Sequence, residues 1–218
     1  MIRNIIFDFG GVVVPLSPSV AYERFEKLGV TNARDQLGRY GQSGIFLQCE
    51  NGSIDAAQFQ QALADLVHEL AGRPDAPKPT FTFEQCEWAW RGYVTEVKME
   101  RLQNLLRLKE HYQVILLSNT NPFMMHWADS TDFSGDGHPI HYYFHHTFCS
   151  YQMKDYKPSH TIFQRVLNEV GIKPADTLFL DDGPANVEAA QQLGIHGLHV
   201  PQNEDWWPKL QAFLNTSI

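Results

Sequence analysis

The apolar pattern begins at once: Ile5, Ile6 and Phe7 run unbroken into Asp8, and Gly10 and Gly11 then precede Val12, Val13 and Val14. A short continuous apolar run bounded by a turn signal predicts a strand buried on both faces, as in a parallel sheet. Two later runs have the same shape. Val114 to Leu117 ends in Ser118-Asn119-Thr120-Asn121, and Thr177 to Leu180 ends in Asp181-Asp182-Gly183. A weaker strand is expected at Thr147 to Ser150, and a last strand at Gly197 to Val200. Helical spacing fills the intervals. It covers Val20 to Leu28 with Gly29 as a stop, and Ile54 to Leu70 behind a Ser53 cap, with Phe59, Leu63, Leu66 and Leu70 as the buried stripe. It returns at Phe83 to Tyr93, Glu96 to Leu108, Ser159 to Val170 and Ala185 to Leu193. The glycine-punctuated stretch from Gly38 to Gly52 reads as a polar loop carrying Ile45, Phe46 and Leu47, and Pro74, Pro77 and Pro79 mark another.

Strands alternating with helices predict an α/β fold with a doubly wound parallel sheet. The division expected is a core of residues 1–15 and 96–218 and a smaller helical unit of residues 16–95. Right-handed crossovers bring the carboxyl ends of parallel strands to one edge. Four polar clusters fall there: Asp8; Ser118-Asn119; Lys157-Pro158 before a helix; and Asp181-Asp182 with Asn186. Carboxylates crowded at a sheet end raise one another's pKa unless a cation sits between them, and an oxygen-only cluster with open positions suits Mg²⁺. A serine hydroxyl and nearby amides can hold phosphate oxygens, a lysine supplies positive charge, and a carboxylate facing a phosphoryl group can act as a nucleophile. The chemistry described is phosphoryl transfer to water.

Composition narrows the partners. The 218 residues carry 17 Lys+Arg against 25 Asp+Glu, a formal net charge of −8, which argues against a nucleic-acid surface. An anionic substrate therefore needs a metal or a few placed cations. No apolar run reaches transmembrane length and no signal-peptide pattern opens the chain, so no membrane association is expected. Cys49, Cys86 and Cys149 are scattered and read as buried thiols of a reducing cytoplasm. The expected partner is a small phosphorylated metabolite. The oligomeric state stays open, a monomer included.

The order Asp8, Ser118, Lys157 and Asp181-Asp182 resembles the haloacid dehalogenase superfamily of aspartate-nucleophile hydrolases. The resemblance covers nearly the whole chain, and the helical unit of residues 16–95 fits that superfamily's class-one cap. Leu117 to Asn121, Lys157-Pro158 and Phe179 to Asp182 look closest to its sugar-phosphate phosphatases, including those acting on glucose 1-phosphate. The resemblance implies a Rossmann-like core and Mg²⁺ as cofactor. It makes Asp8 the nucleophile and a metal ligand, Gly10 a metal ligand through its carbonyl, Ser118, Asn119 and Gly11 the phosphate and substrate contacts, and Lys157 the neutralising cation. Asp182 becomes the favoured carboxylate ligand, with Asp181 joining it through water or orienting Lys157.

One position departs from that pattern. Most phosphatases of the superfamily carry a second Asp two residues after the nucleophile to protonate the leaving group, and this chain has Gly10. Acid/base assistance is worth roughly 10²–10⁴-fold. The favoured reading is a phosphatase for leaving groups that need little protonation, such as the anomeric hydroxyl of a sugar 1-phosphate. The alternatives are a metal-independent 2-haloacid dehalogenase and a phosphate-ligand-binding protein that turns over slowly or not at all.

Other features invite weaker readings. His138, His141, His145 and His146 are dense enough for a metal site but lack ligand spacing, and surface histidines are the plainer account; a His there or in the cap could also replace the missing acid. Trp206-Trp207-Pro208 could form a sugar platform, but aromatics packed on the sheet are expected, and Trp88 and Trp90 are expected in the cap core or against the core domain. Lys154 competes with Lys157. Phe46 and Arg39 are candidates to contact the leaving group, with Phe46 in the cap core as the equal alternative.

Overall fold

The structure, a computed structural model, describes residues 1–38 and 41–216. Five parallel strands form one sheet: β1 Asn4–Phe7, β2 Gln113–Ser118, β3 His146–Cys149, β4 Thr177–Asp181 and β5 His196–His199, in the order β3-β2-β1-β4-β5. The helices are α1 Pro18–Lys27, α2 Ala33–Gln36, α3 Gly44–Glu50, α4 Ala56–Leu70, α5 Phe83–Trp90, α6 Met99–Lys109, α7 Pro122–Ala128, α8 Ser150–Met153, α9 His160–Val170, α10 Pro184–Gln192 and α11 Trp207–Thr216.

The central strand is β1, paired with β2 on one side and β4 on the other; Phe7 lies opposite both Leu116 and Leu180. The Asp8 N–H donates to Leu180 O at 2.9 Å, so Asp8 leaves the sheet level with the ends of β2 and β4. Successive strand residues face opposite layers. Ile5, Phe7, Leu116 and Leu180 pack with α6, α7 and α11, while Ile6, Ile115, Leu117 and Phe179 pack with α9 and α10. This double burial is why the strands read as continuous apolar runs.

Helices α1–α5 enclose a second aromatic cluster. Phe46 lies 5.0 Å from Phe25, 5.6 Å from Phe59 and 5.7 Å from Trp90, centroid to centroid, in edge-to-face geometry. The two chain segments joining this layer to the sheet run side by side. Leu16 forms an antiparallel bridge with Val94, the Ser17 N–H donates to Tyr93 O at 2.8 Å, and the Thr95 N–H donates to Pro15 O at 3.2 Å.

Several expectations need correction. The stretch read as a loop around Phe46 contains α3, because Phe46 and Cys49 share one helical face and both are buried. Helix α4 is capped by Asp55, not Ser53: the Asp55 side chain accepts from the Gln58 N–H while the Gln58 side chain accepts from the Asp55 N–H. Helices α7 and α11 were not anticipated. For α7 the signal was present, since Asn121 accepts from the Phe123 and Met124 N–H groups at 3.1 Å each and Pro122 occupies the first turn. Trp206 packs on Phe7 at 5.0 Å, as the sheet-packing reading expected. Trp90 is in this aromatic cluster, but Trp88 is 41% exposed beneath the Arg24 guanidinium.

Candidate active site

The carboxyl ends of β1, β2 and β4 and the loop before α9 meet as the sequence expects. Lys157 Nζ donates to Asp8 Oδ1 at 2.7 Å and to Asp181 Oδ2 at 2.6 Å, and its side chain is 1% exposed. Asp8, Asp181 and Asp182 each offer an oxygen within 4.8 Å of the others, and all three are buried. Burial pushes the Asp8 carboxyl up to about 8, Lys157 opposes this, and Asp181 and Asp182 add to it. Burial alone would lower the Lys157 ammonium, but Asp181 and Asp8 together hold it above the usual lysine range. Three carboxylates against one ammonium leave negative charge undercompensated in a dry setting. This donor set, oxygen-only and charge-rich, fits a hard divalent cation.

The two acids at the end of β4 divide the work. Asp181 spends Oδ2 on Lys157, and its Oδ1 accepts from the Gly183 N–H at 2.7 Å and from Asn186 Nδ2 at 2.9 Å. Asp182 lines the cavity and Asp181 does not. Gly11 lies at φ +81°, and a Cβ there would collide with Asp182 Oδ2, so the glycine lets backbone and carboxylate meet.

A cavity of about 410 Å³ opens above these residues, lined on the sheet side by Asp8, Gly10, Ser118, Asn119, Lys157 and Asp182. Its opposite wall comes from the helical layer: Gln42, Leu47, Glu50, Trp90 and Tyr93. A surface groove of about 640 Å³ beside Arg24, Trp88 and Trp127 is lined by none of Asp8, Asp181 and Asp182.

Two expected substrate contacts are re-aimed. Gly11 donates its N–H to Val14 O at 2.8 Å and does not line the cavity, because the turn after β1 closes on itself. Asn119 does line it, but its side chain is committed to Lys157: Nδ2 donates to Lys157 O at 2.9 Å, and Oδ1 accepts from the Lys157 N–H at 2.9 Å. Asn119 therefore fixes the lysine. Ser118 is 1% exposed at the end of β2 and lines the cavity, with only a long 3.4 Å contact from its Oγ to Asn119 O.

Other candidates fall elsewhere. Lys154 is exposed and outside the cavity. None of His138, His141, His145 and His146 lines it; His145 accepts from the Val114 N–H, His146 pairs with Gln113, His138 stacks on Tyr142, and His141 contacts Asp129. Phe46 is fully buried among Phe25, Phe59 and Trp90. Arg39 lies outside the described residues.

Sequence reasoning missed three supports. Arg101 donates to Val12 O at 2.6 Å, Asn203 O at 2.7 Å and Glu204 O at 2.8 Å. Asn203 donates its N–H to Gly11 O at 2.7 Å, and its side chain both accepts from the Leu16 N–H at 2.7 Å and donates to Leu16 O at 2.8 Å. Glu50 on the helical wall is the third. An arginine inside an amphipathic helix and an isolated loop asparagine carry no signature that separates them from surface residues.

Comparison with known proteins agrees with this geometry. Residues 2–194 match the haloacid dehalogenase-like hydrolase family. The chain is 38% identical over 216 residues to a D-ribitol-5-phosphate phosphatase of Bacteroides thetaiotaomicron, covering 99% of this chain and 100% of that protein. A HAD-like family hydrolase from Porphyromonas gingivalis superposes with a TM-score of 0.89 at 34% identity, over 98% of each chain. A HAD family enzyme of Bacteroides thetaiotaomicron, solved with magnesium and inorganic phosphate, superposes with a TM-score of 0.81 at 34% identity, over 94% of this chain and 98% of that one. With the fold, the acid–lysine cluster and a full-length relative in agreement, the chain belongs to the haloacid dehalogenase-like hydrolase family.

Proposed function

We propose that this protein is a magnesium-dependent phosphomonoester hydrolase for a small sugar or polyol phosphate, working through an aspartyl-phosphate on Asp8. The observation that carries this reading is the buried Lys157 bridging Asp8 and Asp181, with Asp182 alongside, at the foot of a metabolite-sized cavity. Residues 16–95 form the cap that closes the cavity.

Asp8, the Gly10 carbonyl and Asp182 would hold Mg²⁺, which supplies charge neutralisation for the phosphoryl oxygens when bound. Asp8 attacks phosphorus; Lys157 opposes the burial that raises that carboxyl and offsets the charge of the intermediate. The Ser118 hydroxyl donates to a phosphoryl oxygen. Asp181 and Asn119 aim Lys157 from its two ends.

The cited relative is named for D-ribitol 5-phosphate, the ester of a primary alcohol. A similar substrate here replaces the sugar 1-phosphate as the first candidate. A 2-haloacid dehalogenase, which needs no metal, gives no reason to bury three carboxylates against one lysine. Among the described residues no helix is long and apolar enough to cross a membrane, and the three unpaired buried cysteines suit a reducing cytoplasm.

Purified protein with Mg²⁺ should release phosphate from a panel of sugar and polyol phosphates, and chelation should stop it. Phosphate release that persists in Asp8→Asn would overturn the mechanism.

A further inference from the structure

We infer that Glu50, on the cap wall of the cavity, is the acid that protonates the leaving group, in the role that Gly10 cannot fill. This rests on the phosphatase reading above. The space beside Gly10 is already occupied: a Cβ there would run into Leu16 Cδ1. The proton must therefore come from another wall.

Among the described residues, the titratable side chains lining the cavity are Asp8, Glu50, Tyr93, Tyr156, Lys157 and Asp182. Asp8, Lys157 and Asp182 are committed to the nucleophile and the cation. Tyr156 is 38% exposed. The Tyr93 hydroxyl faces Gly38 O and Gln42 Oε1, each at 3.4 Å, and burial raises its pKa far above neutrality. Glu50 remains.

Its position is fixed relative to the phosphate end. The Ser150 hydroxyl lies 2.6 Å from Glu50 O and 3.1 Å from Thr120 O, and it accepts from the Thr120 N–H at 2.9 Å. One hydroxyl thus ties the last residue of α3 to the loop that follows Ser118. Gly52 packs directly on the Tyr151 carbonyl and holds the next turn of the cap against the same place.

The chemistry suits the place. Burial raises the Glu50 carboxyl to about 8, opposed by its hydrogen bond with Gln42, so it carries a proton at neutral pH. The ionisable groups that feel its charge are Cys49 on its own helix and Tyr93 beyond α5, and Cys49 in turn is felt by Tyr151 on α8 and feels Asp55 in the turn before α4. Across the cavity stand Asp8, Asp182, Tyr156 and Lys157. Among the described residues, no Lys or Arg forms a salt bridge with Glu50.

In the first step an Asp8 oxygen forms its bond to phosphorus as the bond from phosphorus to the ester oxygen breaks. The Glu50 proton passes to that oxygen, releasing the alcohol and leaving a carboxylate. In the second step a water oxygen attacks phosphorus and its proton returns to Glu50. The Asp8–phosphorus bond breaks, and inorganic phosphate leaves.

The test compares kcat/KM of the full-length Mg²⁺ enzyme and Glu50→Gln on two esters across pH 5.5–9.5. The esters are D-ribitol 5-phosphate, a poor leaving group, and p-nitrophenyl phosphate, whose leaving group needs no proton. The amide is isosteric with the neutral acid, so the fold should persist, and a thermal melt checks it. The expected result is a loss of roughly 10²–10⁴-fold on ribitol phosphate, under about tenfold on p-nitrophenyl phosphate, and removal of the wild-type decline above about pH 8. An equal loss on both esters, or no loss on either, would overturn the assignment. If wild type hydrolyses neither ester nor any other phosphomonoester, the phosphatase reading itself fails and takes this one with it.

Discussion

The two walls of the cavity handle carboxyl groups in opposite ways. On the sheet side, three acids crowd together and one lysine bridges two of them, Asp8 and Asp181; Asp181 is held further by Gly183 and Asn186. On the cap side a single acid, Glu50, sits among Leu47, Trp90 and Tyr93. The sheet wall concentrates charge and calls for a cation. The cap wall disperses it and favours a neutral, proton-bearing acid. One residue type thus acquires two chemistries from its surroundings, and the cavity between them can separate nucleophile from proton donor.

The most severe way to break the contrast is Asp8→Asn, which removes the sheet wall's reactive oxygen while leaving the fold. Turnover should fall by about 10⁴-fold or more in a phosphate-release assay. Lys157→Met should cost about 3–5 kcal/mol of stability in chemical denaturation, because the buried acids lose their ammonium. Phe46→Ala attacks the cap wall instead and should cost a similar 3–5 kcal/mol through loss of a buried ring. The two differ in response to salt of the right kind: added Mg²⁺ should restore part of the loss in Lys157→Met and none in Phe46→Ala. For wild type, Mg²⁺ at a hundred times its dissociation constant should add about 2.7 kcal/mol, read as a rise in Tm that Asp182→Asn abolishes.

The smallest test sharpens the cap side. Glu50 has a folded pKa near 8 against an ordinary 4.5, so the folded protein binds the extra proton. Its stabilisation is fully present below about pH 4.5 and is lost as pH rises towards 8. With Mg²⁺ holding the sheet wall constant, wild-type stability should decline across that window by up to a few kcal/mol more than that of Glu50→Gln. Parallel curves would show that Glu50 titrates normally.

Much of the sheet wall was legible in the chain because its parts are contiguous. Ile5-Ile6-Phe7 and Thr177 to Leu180 are doubly buried strands, and each ends on the acid it delivers. Lys157 was readable from its proline and the helix that follows. What hydrogen bonding decides was not. Asn119 was expected to face substrate and instead pairs with the Lys157 backbone, and Gly11 spends its N–H on Val14. The cap wall was the least legible. Gly44 suggested a loop where α3 forms, and nothing local marks Glu50, because its chemistry comes from burial at the cavity wall. Helix α11 was overlooked for a related reason: among its described residues Leu210 is the one that is buried, so no apolar stripe marks the helix.

The paired crossings at Leu16 and Val94 have a consequence for how such a chain can change over time. Because the outgoing and returning segments are bonded to each other, and Asn203 fastens Leu16 to the core, the sheet experiences everything between them as one long hairpin connection. The cost of closing a connection grows only slowly with its length. Segments could be lengthened, trimmed or exchanged within that insertion while strand register and the acid–lysine cluster stay as they are, so a lineage can try new lids on an unchanged reaction centre.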